Sequence, residues 1–180
     1  MRISKPKKIA LFIAILISLQ VCALVLFRRI EDQRVHDRPR VVSTQAPSVE
    51  SLRFERFVVS RGDGETLDLA ALEAPLVVHF WGTWCPPCKW ELPWFFAWAE
   101  GAEIDAMAVS LDEDRERAAE FTKEASPKLH GFGDASSARA VLHITTLPVT
   151  LLIEPGGRVR LRADGARDWR DARFQQSWSR

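Results

Sequence analysis

Residues 79–93 read His79-Phe80-Trp81-Gly82-Thr83-Trp84-Cys85-Pro86-Pro87-Cys88-Lys89-Trp90-Glu91-Leu92-Pro93. The stretch opens at the end of a nearly continuous apolar run, Leu76 to Trp81, the pattern of a strand buried on both faces. Gly82 marks a turn. A helix is expected from about Pro86 to Ala99, with two prolines in a first turn that needs no main-chain donor. Two cysteines three apart therefore fall at a strand-to-helix junction. Cys85 stands where the unsatisfied N–H groups and the dipole of a helix N-terminus favour a thiolate. The thiolate is the attacking species in disulfide exchange, and Cys88, one turn on, is spaced to resolve a mixed disulfide. Half of a zinc site uses the same spacing. Zinc, however, takes four ligands; the remaining cysteine is Cys22, and His36, His79, His130 and His143 show no paired spacing. A purely structural bridge of this kind would close a very short loop and constrain little of the unfolded chain.

Outward from this junction, strands and helices alternate. Phe54 to Ser60 reads as a strand, Gly62-Asp63-Gly64 as a turn, and Glu65 to Leu69 as the return of a hairpin. Ile104 to Leu111 is the next strand, and Asp112 to Ala125 a charged helix with Ala118, Ala119 and Phe121 inward. Ser136 to His143 is a short helix; Val149 to Glu154 and Arg158 to Arg162 form a hairpin about Pro155-Gly156-Gly157. Asp168 to Ser179 is expected as a closing helix with Asp168 as its cap. This order predicts an α/β fold, a central mixed sheet flanked by helices. Trp90, Trp94 and Trp98 recur every four residues and share one helix face, mostly for packing.

The N-terminus has a different character. Residues 1–8 carry four cations and no anion, and Ile9 to Phe27 is an apolar run of 19 residues. At ~1.5 Å per residue the run spans about 28 Å, enough for the hydrocarbon core of a bilayer. It is longer than the apolar part of most cleaved signals. We read 1–8 as a cytoplasmic tail, 9–27 as a transmembrane anchor, 28–51 as a flexible or extended linker and 52–180 as the folded domain. Charge excludes an electrostatic nucleic-acid binder: the whole chain carries +1, and Glu50 to Arg180 holds 16 cations against 21 anions.

The segment WGTWCPPCKWELP resembles the active site of thioredoxin-fold proteins, and most of all the membrane-anchored ResA/TlpA/CcmG (DsbE) type of thiol–disulfide oxidoreductase. The W-x-x-W-C-x-x-C core, Lys89 after the second cysteine, Pro93 where the family's helix kinks, and Leu147-Pro148 ahead of a strand and hairpin carry the likeness. It covers roughly Phe54 to Trp178, and it implies a thioredoxin fold with an N-terminal β-hairpin and an inserted helix, Asp112 to Ala125. Gly131-Phe132-Gly133-Asp134 stands where the family often has a longer strand.

The resemblance also implies roles. Cys85 is the nucleophile, Cys88 the resolving thiol, and Pro148 a cis residue lying against the disulfide. Thr146 and Leu147 offer main-chain groups to an extended client, as in strand addition. Trp84, with Pro86 and Pro87, forms part of a docking surface beside the sulfur. Glu91 is near the thiols in this motif and suits a proton relay; a solvated helix carboxylate is the plainer alternative. His79 stands where many thioredoxins hold a buried acid. Its favoured reading is a core imidazole hydrogen-bonded to backbone, and the other is a proton shuttle.

No cofactor is implied beyond the redox-active Cys85–Cys88 pair. The implied partners are a client protein with a disulfide or dithiol, such as apocytochrome c, and a DsbD- or CcdA-like membrane electron donor. The implied location is the bacterial inner membrane, single-pass, with the domain on the periplasmic side. An oxidant or isomerase is the rival with the same chemistry. A copper metallochaperone is the rival of another class, because soft thiolates suit Cu(I). Such chaperones use C-x-x-x-C and a distant histidine, and no histidine follows His143 here.

Overall fold

The structure, a computed structural model, describes residues 52–125 and 127–178, together with 20, 22, 23, 43, 48 and 49. The tail 1–8 and most of the run 9–27 lie outside the described residues. Residues 20, 22 and 23 are helical; among the described residues no helix is long and apolar enough to cross a membrane.

The elements of the unit 39–180 are β1 (Ser48–Val49), β2 (Val58–Arg61), β3 (Thr66–Asp68), β4 (Leu76–Trp81), α1 (Pro86–Ala99), β5 (Asp105–Ser110), α2 (Arg115–Thr122), β6 (His130–Phe132), α3 (Ala135–Leu142), β7 (Val149–Glu154), β8 (Arg158–Asp164) and α4 (Ala172–Gln176). They form an eight-stranded mixed sheet in the order β1-β8-β7-β4-β5-β6-β2-β3. β4, β5 and β6 run parallel, and the other pairings are antiparallel. The thioredoxin fold, the N-terminal hairpin β2–β3 and the closing hairpin β7–β8 match the sequence reading. Ser48–Val49, inside the stretch read as linker, pairs with Arg162 and Leu161 on the edge of β8.

The continuous apolar run of β4 hides a period of two. Leu76, Val78 and Phe80 enter one core with Phe57, Leu142 and Ile153. Val77 and Trp81 enter the other with Cys85, Cys88, Leu92 and Phe95. His79 falls on the second face, turned toward α1, where it stacks on Phe95 with ring centroids 4.8 Å apart. Sheet and helix thus meet across a layer into which a single polar side chain of β4 projects.

Three expectations are corrected. The helix expected from Asp112 begins at Arg115 with Asp114 as its cap, because the Asp112 carboxylate is engaged elsewhere. Phe121, expected inward on that helix, is 43% exposed and lies beside Trp81 at 5.4 Å between centroids; Ala118 and Thr122 face inward instead. The helix expected from Asp168 to Ser179 is only Ala172–Gln176 and is capped by Asp171. Asp168 closes a local turn by accepting from Arg170 N–H, the competition that short acidic side chains offer to helix. Trp169 and Trp178 are fully buried on either side of the shorter helix.

Where the family often has a longer strand, β6 is a three-residue strand. A Cβ at Gly131 would lie 2.9 Å from the Ser60 carbonyl oxygen and 2.8 Å from a Val59 methyl carbon. Glycine is what permits β2 to approach β6 this closely.

Candidate active site

β4 ends at Trp81 and delivers the chain to the cysteine loop. Cys85 N–H donates to Gly82 C=O at 3.1 Å, closing the turn. Cys85 is the N-cap of α1, and Cys88 N–H points at its sulfur at 3.3 Å. The helix N-terminus thus aims a donor at the sulfur that the sequence singled out as nucleophile. The two cysteines are joined, with an S–S distance of 2.02 Å. Cys85 is 4% exposed and Cys88 wholly buried, whereas Trp84 beside them is 62% exposed. A Cβ at Gly82 would sit 2.9 Å from the Trp84 indole, so this glycine lets the ring lie over the turn. Pro86 is exposed and Pro87 partly buried.

The loop is tied down from β5. The buried Asp112 carboxylate accepts from Thr83 N–H at 2.9 and 3.1 Å, from the Thr83 hydroxyl at 2.6 Å and from the Ser110 hydroxyl at 2.7 Å. Nothing local in the sequence reveals this clamp, because Asp112-Glu113-Asp114 reads equally well as the acidic start of a helix.

At the same end of the sheet, the Leu147–Pro148 bond is cis. The antiparallel register pairs Phe80 with Val149, which brings Pro148 to the end of β4 from which the cysteine loop departs. Pro148 is buried, Leu147 half-buried and Thr146 exposed.

Beneath the disulfide lies a buried polar pair. Glu91, three residues after Cys88 on the buried face of α1, is 1% exposed, which overturns the solvated-carboxylate alternative. Its Oε2 accepts from Arg167 N–H at 2.5 Å, and its Oε1 faces His79 Nε2 at 3.4 Å. His79 Nδ1 lies 3.0 Å from Thr150 Oγ1, directly across the β4–β7 register. The core-imidazole reading of His79 is right in its burial, but the partners are side chains rather than backbone. Burial holds the imidazole down at about 3 and pushes the Glu91 carboxyl well above its ordinary range. Burial thus favours the neutral form of each. With Oε2 accepting from Arg167, Oε1 is the oxygen that faces Nε2, and Nδ1 is the ring nitrogen that faces Thr150.

A stability prediction follows. Above the ordinary Glu pKa of 4.5 the unfolded chain releases a proton that native Glu91 keeps, so this stability is lost as pH rises through the folded pKa. His79 has the opposite sign: its contribution is lost as pH falls from 6.5 toward 3. Above pH 6.5 the His79 contribution is fully present and no longer opposes that of Glu91. In urea unfolding across that range, the wild type is expected to lose up to about 1.4 kcal/mol per pH unit, a slope that Glu91→Gln flattens. Equal slopes in the two proteins would contradict the protonated assignment.

A family model described as AhpC/TSA matches residues 42–162. The chain belongs to the AhpC/TSA family. The thiol-disulfide oxidoreductase ResA of Bacillus subtilis (strain 168) is 31% identical over 110 residues, spanning 57% of this chain and 60% of that protein. ResA of Oceanobacillus iheyensis is 26% identical over 155 residues, 83% of this chain and 79% of that protein. The crystal structure of StoA from Bacillus subtilis superposes with a TM-score of 0.54 at 23% identity, over 68% of this chain and 95% of that one, which supports the fold alone. With the Cys85–Cys88 disulfide at the helix N-cap, these likenesses mark the chain as a thioredoxin-fold thiol–disulfide oxidoreductase related to the ResA/DsbE type.

Proposed function

We propose that this oxidoreductase is a membrane-tethered reductant of disulfides in client proteins outside the cytoplasm. One observation carries the direction: both sulfurs lie in an apolar core. An oxidising couple is one whose reduced, thiolate-bearing form is stabilised. Here burial opposes the thiolate. The helix N-terminus favours a thiolate at Cys85, whereas Cys88 is wholly buried. This burial supports the pair as the reducing member of an exchange.

In the reaction, the Cys85 thiolate attacks one sulfur of the client disulfide and the other client sulfur leaves as a thiolate. Cys88 then attacks Cys85, releasing the second client thiol and leaving the enzyme oxidised. Two electrons pass to the client. Glu91, its neutral form favoured by burial, gives its proton to the leaving client thiolate and takes up the proton that Cys88 loses on attacking, so it ends the cycle as it began, with His79 beside it. Trp84 and the Thr146–Leu147 edge receive the client chain. Restoring the dithiol calls for an electron donor, for which the family resemblance suggests a DsbD- or CcdA-like membrane protein. The same resemblance suggests apocytochrome c as client. The apolar run 9–27 supports the tether, with the domain on the periplasmic side.

Equilibrating the pair with glutathione or dithiothreitol tests the direction. A potential near the thioredoxin end of the scale, about −270 mV, is expected. A value near about −120 mV would make the protein an oxidant of its clients.

A further inference from the structure

The turn that follows β8 touches two parts of the site at once. Gly165 N–H donates to Pro148 C=O at 2.8 Å. Two residues on, Arg167 N–H donates to Glu91 Oε2 at 2.5 Å. Pro148 precedes β7 and Glu91 lies on α1, so the segment 165–167 is a bridge between elements that are far apart in the chain. It is itself braced. Arg167 Nη1 donates back to the carbonyls of Gly165 and Ala166 at 3.1 and 3.3 Å, and Ala166 C=O also accepts from Ser43 N–H at 2.9 Å.

Closing a turn requires only main chain, yet this turn carries an arginine that is 4% exposed. A buried guanidinium is costly unless its charge is answered. The carbonyls of Gly165 and Ala166 accept from it, the Phe174 ring lies 5.9 Å away, and an ionised Glu91 or Asp164 adds opposite charge. Glu91 in turn faces His79 from β4 and the main chain of Arg167, and Cys88 stands one turn earlier on the same buried side of α1. With His79 neutral and Cys88 in the disulfide, Arg167 is the cation that favours an ionised Glu91.

We propose that Arg167 is a positioning residue of the disulfide site: its main-chain N–H holds the Glu91 carboxyl in place, its guanidinium braces the turn that presents that N–H and sets a positive charge in that turn, and the 165–167 segment transmits a change at that carboxyl to the Pro148 edge. The functional weight of this device rests on the proton role given to Glu91 above.

The test is an NMR pH titration of the full oxidised chain that follows the Glu91 carboxyl carbon and the Arg167 and Gly165 amides. All three are expected to titrate with one midpoint. Arg167→Met keeps the N–H and removes the charge, and is expected to raise that midpoint by about one pH unit. Arg167→Lys restores it, and Glu91→Gln removes the titration from both amides. If the Met variant does not fold, Arg167→Gln reports the same loss of charge. An unmoved midpoint in the neutral variants, or a Gly165 amide that titrates unchanged in Glu91→Gln, overturns the inference. The rate profile separates it from the parent reading: a wild-type pH profile for exchange in Glu91→Gln removes the proton role of Glu91 and leaves the placement by Arg167 standing.

Discussion

Replacing Cys85 with serine is expected to lower disulfide exchange by more than about 1,000-fold, because the group lost is the one that forms the covalent intermediate. A hydroxyl at the same N-cap still accepts from Cys88 N–H, so the helix start is preserved and the loss is chemical. Replacing Cys88 with serine is expected to act differently. The first attack survives, the second does not, and a mixed disulfide accumulates until outside thiol releases it. Stopped turnover of a disulfide-bonded reporter, with and without added thiol, reads both. Equal burst amplitudes in the two variants would contradict the assigned order of attack.

The second large effect is expected at Asp112. Its carboxylate answers one N–H and two hydroxyls that have been taken out of water. Asp112→Ala leaves those donors without their acceptor at a site 8% exposed in the wild type. A loss of about 3 kcal/mol in urea unfolding is expected. Asp112→Asn is expected to lose less, since one oxygen remains to accept. Thr83 lies two residues before Cys85, so the clamp also sets where the cysteine loop leaves β4. Exchange rates are therefore expected to fall in Asp112→Ala even under conditions where the fold is fully populated. A stability change within about 0.5 kcal/mol, the range of ordinary surface substitutions, would show that the clamp is dispensable.

The contrast between Cys85 and Asp112 describes what the sequence makes legible. Cys85, Cys88 and the helix Pro86–Ala99 announce themselves locally, through spacing, proline placement and an apolar run, whereas the cis Pro148 is legible only through the family resemblance. The hairpins do so through their turn glycines. Asp112, Ser110, Thr150 and Arg167 do not, because their roles depend on partners 29, 2, 71 and 76 residues away, and only the pair Ser110–Asp112 is close in the chain. An acidic triplet before a helix carries one signal whether its first member caps, repels or clamps. The closing helix failed for a related reason: Asp168, Asp171 and the tryptophans around them suit a helical period, yet burial of Trp169 against Trp98 and Phe95 requires a turn there. Glu91 shows the opposite limit. Its position is readable from the motif, but its burial is fixed by His79, the single polar side chain that β4 sends toward α1, and by a turn more than 70 residues on.

The central claim is that Cys85 is the attacking sulfur and Cys88 the resolving one. The most direct measurement is peptide mapping by mass spectrometry after each single-serine variant of the full chain is reduced and exposed to a disulfide-bonded client peptide. The account predicts a stable client adduct on Cys85 in Cys88→Ser and little adduct in Cys85→Ser. An adduct that forms on Cys88 in Cys85→Ser, with Cys85 unmodified in Cys88→Ser, would contradict it.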